Sequence, residues 1–165
     1  AVHLVSHGRC PVLVVREQSS AQGPVVLGVD GSPAGERAVD FAFAEAAFRQ
    51  ADLVALHAWS TWNAQLPPPQ DASLPYANPA GALAVEERRL LSEAIAGHQE
   101  RYPEVAVEHQ VVHGRTREAL IEASRTAQLV VVGARGRGGF AGLLLGSVSQ
   151  ALLHHAHCPA IPVPV

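Results

Sequence analysis

The sequence contains no lysine, and all 12 basic residues among its 165 are arginines. Schiff-base chemistry, catalysis by a lysine amine and the lysine-dependent phosphate grip of a P-loop are therefore excluded. The net charge is only −3, which gives no electrostatic reason to bind nucleic acid or an acidic membrane surface. We expect neither of these as a partner.

Cysteine and long apolar runs are also scarce. The two cysteines, Cys10 and Cys158, do not make the disulfide framework of a secreted protein, and we expect both to be buried free thiols. No apolar run approaches the roughly 20 residues that cross a bilayer, and the first residues lack the order of a signal peptide. We predict a soluble cytoplasmic protein. Methionine is absent too, so we expect that Ala1 is not the natural first residue.

Apolar residues make up 48% of the chain and form short strand-like runs that alternate with helical patterns. Strands that are apolar throughout are typical of a parallel sheet covered by helices on both faces. We predict strands at residues 25–29, 53–58, 105–112, 129–132 and after 159, and helices at 33–50, 81–102, 116–127 and 147–155. Ser32, Thr116 and Ser147 are the predicted helix caps. The predicted fold class is α/β, a five-stranded parallel sheet of the Rossmann-like or flavodoxin-like kind.

The two ends of the chain repeat each other. A shift of 148 positions places Leu4 on Leu152, His7 on His155, Cys10 on Cys158, Pro11 on Pro159 and Val15 on Val163. We interpret residues 1–17 as the last helix and strand of a preceding homologous domain, 18–23 as a linker and 24–165 as the main domain; a chance match is the alternative. Residues 11–16 keep the apolar run of a strand, and an exposed apolar edge of that kind seeks pairing. We expect deletion of residues 1–17 to expose that edge and alter the oligomeric state or solubility, while leaving the ligand site largely intact.

A glycine-rich segment, GARGRGGFAGLLLGS at residues 133–147, follows the clearest strand and precedes a helix. Backbone N–H groups at such a place can face a phosphate, although a turn that uses glycine only for its backbone freedom is the alternative. The Rossmann spacing G-x-G-x-x-A occurs at Gly136, Gly138 and Ala141. It lacks the acidic residue that should follow to bind ribose, because no Asp or Glu comes after Glu122.

A third pattern fits better. Gly133, Gly136 and Gly146-Ser147 have the spacing G-x2-G-x9-G-S, which resembles the ATP-binding signature of the universal stress protein family. The resemblance extends over residues 24–165 and includes Val-Asp-Gly-Ser at 29–32, Val-Val-His-Gly at 111–114, Gly-Ser-Val-Ser at 146–149 and His-Cys-Pro at 157–159. It implies a fold like that of the adenine nucleotide alpha hydrolases.

The loop chemistry can also be argued from the residues. Gly133 and Gly136 let the backbone approach a polyphosphate, and Gly146 and Ser147 place N–H groups and a hydroxyl at the positive end of the last helix. Arg135 and Arg137 flank the loop. They are either bidentate phosphate ligands or solvated loop charges.

The resemblance further implies which residues bind the nucleoside. Asp30 would contact the ribose or the base through its carboxylate; a turn-forming side chain is the alternative. Backbone contacts to adenine are implied at Gly28, Val29 and Ala58, with Val132 packed against the base. Val148 and Ser149 complete the implied phosphate signature.

Other groups of residues give weaker indications of function. His154, His155, His157 and Cys158 have the composition of a metal site, but the first two are neighbours that cannot share one helix face, so we predict no metal site. Trp59 and Trp62, beside the proline-rich segment 60–79, are interpreted as local packing, with a partner surface as the alternative. We find no catalytic residue beside the glycine loop.

The expected function is therefore that of an ATP-binding universal stress protein, a nucleotide-dependent signalling module, with or without Mg²⁺ on the phosphates. The resemblance implies a homodimer, or a pseudo-dimer in a tandem protein, joined through the last strand. On that ground residues 11–16 are predicted to add an antiparallel strand to the last strand of a 24–165 domain, in this chain or another. Two alternatives stay open. One is a dimerisation scaffold whose site is empty or holds AMP, and the other is an adenine-nucleotide hydrolase or nucleotidyl-transfer enzyme. Slow ATP hydrolysis is the most that the residues suggest.

Overall fold

The structure, a computed structural model, describes residues 2–8, 10–16, 22–60, 79–136 and 145–164. The elements are α1 (Val2–His7), β1 (Val25–Gly28), α2 (Glu36–Arg49), β2 (Leu53–Trp59), α3 (Pro79–Arg101), β3 (Val107–His113), α4 (Thr116–Ala123), β4 (Leu129–Gly133), α5 (Ser147–His155) and β5 (Ala160–Val163). The predicted α/β class is confirmed. Arg137, Gly138, Ala141 and Trp62 lie outside the described residues.

The sheet has the order β3-β2-β1-β4-β5, and every neighbouring pair of these strands is parallel. The chain runs outward from β1 to β3 and then crosses back to place β4 on the other side of β1. The strand order therefore reverses between β1 and β4. In sheets of this kind a ligand crevice opens at that point, outside the carboxyl ends of the strands.

Helices cover both faces of the sheet, as predicted. On one face α2 and α3 contribute Phe43, Leu91 and Ile95 to a core with the inner side chains of β1, β2, β4 and β5. On the other face α4 and α5 contribute Leu120 and Leu152. These five side chains are fully buried, so both faces of the sheet are fixed by close packing.

The predicted helix caps are wrong in detail. Ser32 precedes a 3₁₀ turn, Pro33–Gly35, and its hydroxyl donates to Asp30 Oδ1 at 2.7 Å instead of capping a helix. Thr116 and Ser147 are the first helical residues rather than caps. The Thr116 hydroxyl donates across to Ala58 O at 3.3 Å. The Ser32 bond is local, within the turn itself, whereas the Thr116 bond reaches a residue 58 positions earlier, which a purely local pattern cannot reveal.

The N-terminal segment lies against β5 of the same chain. Val14 and Ala160 form an isolated antiparallel bridge, with N–H···O distances of 3.0 and 3.1 Å. The predicted extra strand is therefore reduced to one bridge in the described structure. Val5 of α1, only 5% exposed, packs with Ala134 and Leu145 in a small separate core.

The two cysteines differ. Cys158 is buried as expected, and burial raises the pKa of its thiol to about 11. Cys10 is exposed, contrary to the expectation. It precedes a segment that touches the main sheet through a single bridge at Val14, so no sheet covers it. No helix in the described part of the chain is both long and apolar enough to cross a bilayer.

Candidate functional site

The crevice at the strand-order reversal is built from the ends of β1 and β4. Gly28, at the end of β1, leaves room for two neighbouring side chains. A Cβ there would lie 2.9 Å from Val132 Cγ1 and 3.0 Å from Leu120 Cδ1. Glycine at this position therefore lets the Val132 and Leu120 side chains pack against the end of β1 without a clash.

Asp30 follows β1 and faces the glycine loop. Its Oδ1 accepts from Ser32 N at 2.9 Å and from the Ser32 hydroxyl at 2.7 Å, around a Gly31 with φ of 67°. Asp30 therefore does stabilise the turn at residues 30–32, as the alternative interpretation of this residue expected. The same carboxylate also reaches across the crevice, because a Cβ built on Gly136 would collide with Asp30 Oδ2. Asp30 both shapes its own turn and lies against the loop.

The described part of the glycine loop is closely packed. A Cβ on Gly133 would lie 2.9 Å from Arg135 O and 3.6 Å from Gly35 Cα. At the far end of the loop Gly146 N donates to Ala134 O at 2.8 Å. The structure therefore brings Gly133, Gly136 and Gly146 to one place, at the start of α5.

The two serines of the Gly-Ser-Val-Ser segment have different environments. Ser147 is exposed at the first turn of α5, next to half-buried Val148. Ser149 is only 1% exposed, and its hydroxyl lies 2.9 Å from Gly133 O and 3.3 Å from Ala134 O. Ser149 therefore bonds the junction between β4 and the loop from inside, whereas Ser147 lies on the surface.

Replacing Ser149 by alanine should loosen this junction. We expect a loss of about 1–2 kcal/mol in the free energy of unfolding, because the Gly133 carbonyl loses a buried partner. Weaker ligand binding should accompany it. Denaturant unfolding and calorimetric titration measure the two effects. Ser92→Ala is the matched control, since that hydroxyl bonds Arg88 O at 3.0 Å on the exposed surface of α3. Equal effects of the two changes would contradict the assigned role.

The other residues predicted to contact the nucleotide have different environments. Arg135 is exposed at the loop. Val29 N donates to Leu56 O at 2.9 Å, and Val29 O accepts from His57 Nδ1 at 2.7 Å, so both backbone groups of Val29 already have partners. Ala58 is buried beside the crevice. The predicted backbone contacts to adenine stay predictions.

A buried pair that the sequence analysis missed lies behind the crevice. His57 Nε2 is 2.5 Å from Glu87 Oε2, and both side chains are 6% exposed. The one signal in the sequence was a histidine inside an otherwise apolar strand, Leu-Val-Ala-Leu-His-Ala-Trp. Among the described residues, no group of three or more His, Cys, Asp or Glu side chains could hold a metal ion.

Comparison with known proteins identifies relatives over the whole domain. The sequence pattern of the Universal stress protein family matches residues 23–164. Universal stress proteins Rv2623 and Rv2005c of Mycobacterium tuberculosis (strain ATCC 25618 / H37Rv) are each 44% identical to the chain over 163 residues, covering 96% of it and 52% of the relative. The chain thus spans about half the length of these relatives.

Solved structures share the fold. A universal stress protein in complex with cAMP is 28% identical, with a TM-score of 0.53 over 88% of this chain and 98% of that one. A putative universal stress protein from Pseudomonas aeruginosa UCBPP-PA14 has a TM-score of 0.65 at 19% identity, covering 99% of this chain and 55% of that one. The second likeness supports the fold alone.

Proposed function

This chain belongs to the universal stress protein family, and on that premise we propose that it binds ATP at the crevice between β1 and β4 and acts as a nucleotide-dependent signalling module. The observation that carries the proposal is the approach of the Asp30 carboxylate to Gly136. A hydrogen-bond acceptor and a phosphate-compatible loop thereby lie side by side at the strand-order reversal.

The charges around the crevice indicate where the ribose and the phosphates of the nucleotide would lie. The Asp30 carboxylate accepts hydrogen bonds and repels phosphate, so it suits the ribose hydroxyls. The phosphates would then extend from Gly136 toward Gly146 and the start of α5, where the helix dipole favours anions. Arg135, exposed at the loop, supplies a positive charge for the outer phosphates. Mg²⁺ is compatible with this arrangement but is not required by it.

The solved relative that holds cAMP supports an adenine nucleotide as the ligand class. ATP and cAMP share the adenine and differ in their phosphates. We favour ATP because the loop offers separated glycines and an arginine to a chain of phosphates. With cAMP or AMP only the inner part of the loop would be used.

Mass spectrometry of the ligand released from denatured protein, followed by calorimetric titration with ATP, AMP and cAMP, tests the proposal. Arg135→Ala should lower ATP affinity by about 3- to 10-fold and leave AMP affinity unchanged, since one charge-assisted contact to an outer phosphate is lost. Arg115→Ala is the control, because Arg115 is exposed and pairs with Glu118 at 3.2 Å on α4.

The other outcomes of these binding measurements would favour the alternative functions or contradict the role of Arg135. No binding of any of the three nucleotides would favour the dimerisation scaffold, and turnover of ATP during incubation would favour an enzyme. An equal fall in ATP and AMP affinity would show that Arg135 does not meet the outer phosphates.

We also propose that the edge at β5 joins two domains, within a tandem protein or between chains. Leu13 and Val15 flank the bridging Val14 and are 46% and 68% exposed, which leaves an apolar border beside this edge. Light scattering of the purified protein measures whether two copies associate.

A further inference from the structure

The buried His57–Glu87 pair connects α3 to the end of β1. His57 lies on β2 and is 5% exposed, and its Nδ1 is 2.7 Å from Val29 O. A carbonyl oxygen only accepts hydrogen bonds, so Nδ1 must carry a hydrogen and donate it. On the other side of the ring, Nε2 and Glu87 Oε2 are 2.5 Å apart and must share one further proton. The ring is therefore held at both nitrogens.

The position of this bond matters because the chain leaves the sheet there. Gly28 is the last residue of β1, and Val29 N still donates to Leu56 O before the backbone turns through Gly31. The Val29 carbonyl and the Asp30 N–H belong to one planar peptide unit. A bond to the carbonyl thus fixes the orientation of that plane and of the N–Cα bond of Asp30, from which the Asp30 side chain is placed.

Stability alone is a weak reason for such a pair. Burying two ionisable groups costs several kcal/mol each in desolvation, and apolar residues of similar size are often as stable or more stable at such a place. Helix α3 is already attached to the sheet by fully buried Leu91 and Ile95. A polar link that ends on the residue before Asp30 instead indicates a role in geometry.

We propose that His57 is a positioning residue of the nucleotide site and that Glu87 anchors its ring. His57 fixes the Val29–Asp30 peptide so that the Asp30 carboxylate lies against Gly136, where the ribose is to be bound. This inference rests on the proposed function for its ligand, but the geometric role stands on the contacts of His57 alone.

Replacing His57 by asparagine or by glutamine distinguishes the roles of the two ring nitrogens. In a Glu87→Gln background, which leaves no buried carboxylate, His57→Asn places its amide nitrogen near the position of Nδ1 and keeps a donor for Val29 O. His57→Gln places its amide near the position of Nε2 and loses that donor. The two variants differ by one methylene, so they are matched in polarity and nearly matched in size.

The expected results concern ATP affinity, the midpoint of thermal unfolding and hydrogen exchange at the Asp30 amide. The Asn variant should bind ATP within about 3-fold of Glu87→Gln alone, and the Gln variant about 10-fold more weakly, because the donor to Val29 O is lost. The Asp30 amide should exchange faster in the Gln variant only. A merely structural role predicts equal affinity and equal exchange in the two variants, and that result would overturn the inference.

If the His57→Gln variant does not fold, a second pair of variants replaces the first, His57→Asn/Glu87→Leu and His57→Leu/Glu87→Leu. The asparagine keeps a donor for Val29 O, and the leucine has none. The exchange measurement needs no nucleotide. Absence of ATP binding in every variant, including Glu87→Gln and the unmodified chain, would contradict the proposed function, whereas the Asp30 exchange pattern would still decide the role of His57.

Discussion

Replacing Gly136 by aspartate should weaken ATP binding by about 1–3 kcal/mol, roughly 5- to 150-fold. A Cβ on Gly136 would collide with Asp30 Oδ2, so either the loop or the carboxylate must move. The new carboxylate would also stand against Asp30 and against the phosphates, which adds like-charge repulsion to the steric conflict. Calorimetric titration with ATP measures the loss.

Gly97→Asp is the control for this change. Gly97 lies in α3, and apart from its chain neighbours and the nearby backbone of its own helix, no heavy atom of the described residues lies within 4 Å of a Cβ built there. It receives the same charge in open space, so ATP affinity should be unchanged. Thermal unfolding of both variants separates a local defect from a general loss of stability. Undiminished ATP affinity of Gly136→Asp would remove Gly136 from the phosphate loop.

The fold was predictable because its signals are local. An apolar strand followed by an amphipathic helix, repeated along the chain, is typical of one architecture. β4 was the clearest example, a run of Leu-Val-Val-Val that the structure buries completely. The helix starts were less predictable. Thr116 bonds Ala58 O, a partner 58 residues away, and no local pattern encodes such a contact.

The part of the site that is marked by glycine spacing could be predicted from the sequence. The part that depends on a contact between distant residues could not. Gly133, Gly136 and Gly146 were identified by spacing, and the structure brings them together. His57 and Glu87 were missed because 30 residues separate them and neither belongs to a motif. Their relation exists only once β2 and α3 pack against each other.

The N-terminal segment contacts the glycine loop, which changes the expectation for its deletion. Val5 packs against Ala134 and Leu145, and these two residues directly follow Gly133 and precede Gly146. Arg16 also donates to the carbonyls of Leu153 and Ala156 near the end of α5. The segment therefore supports both ends of the loop, so its removal is not expected to spare the ligand site.

Deleting residues 1–17 should lower the free energy of unfolding by about 2–4 kcal/mol, from the lost burial of Val5 and the lost bridge at Val14. ATP affinity should fall as well, because Ala134 and Leu145 lose their cover. Denaturant unfolding and calorimetric titration measure both effects. Val5→Asp should reproduce most of them, whereas Leu4→Asp should not, because Leu4 is 66% exposed on the same helix and Val5 only 5%. A truncated protein with unchanged stability and unchanged ATP affinity would make residues 1–17 a passive tail, since the contacts around Ala134 would then contribute nothing to the loop.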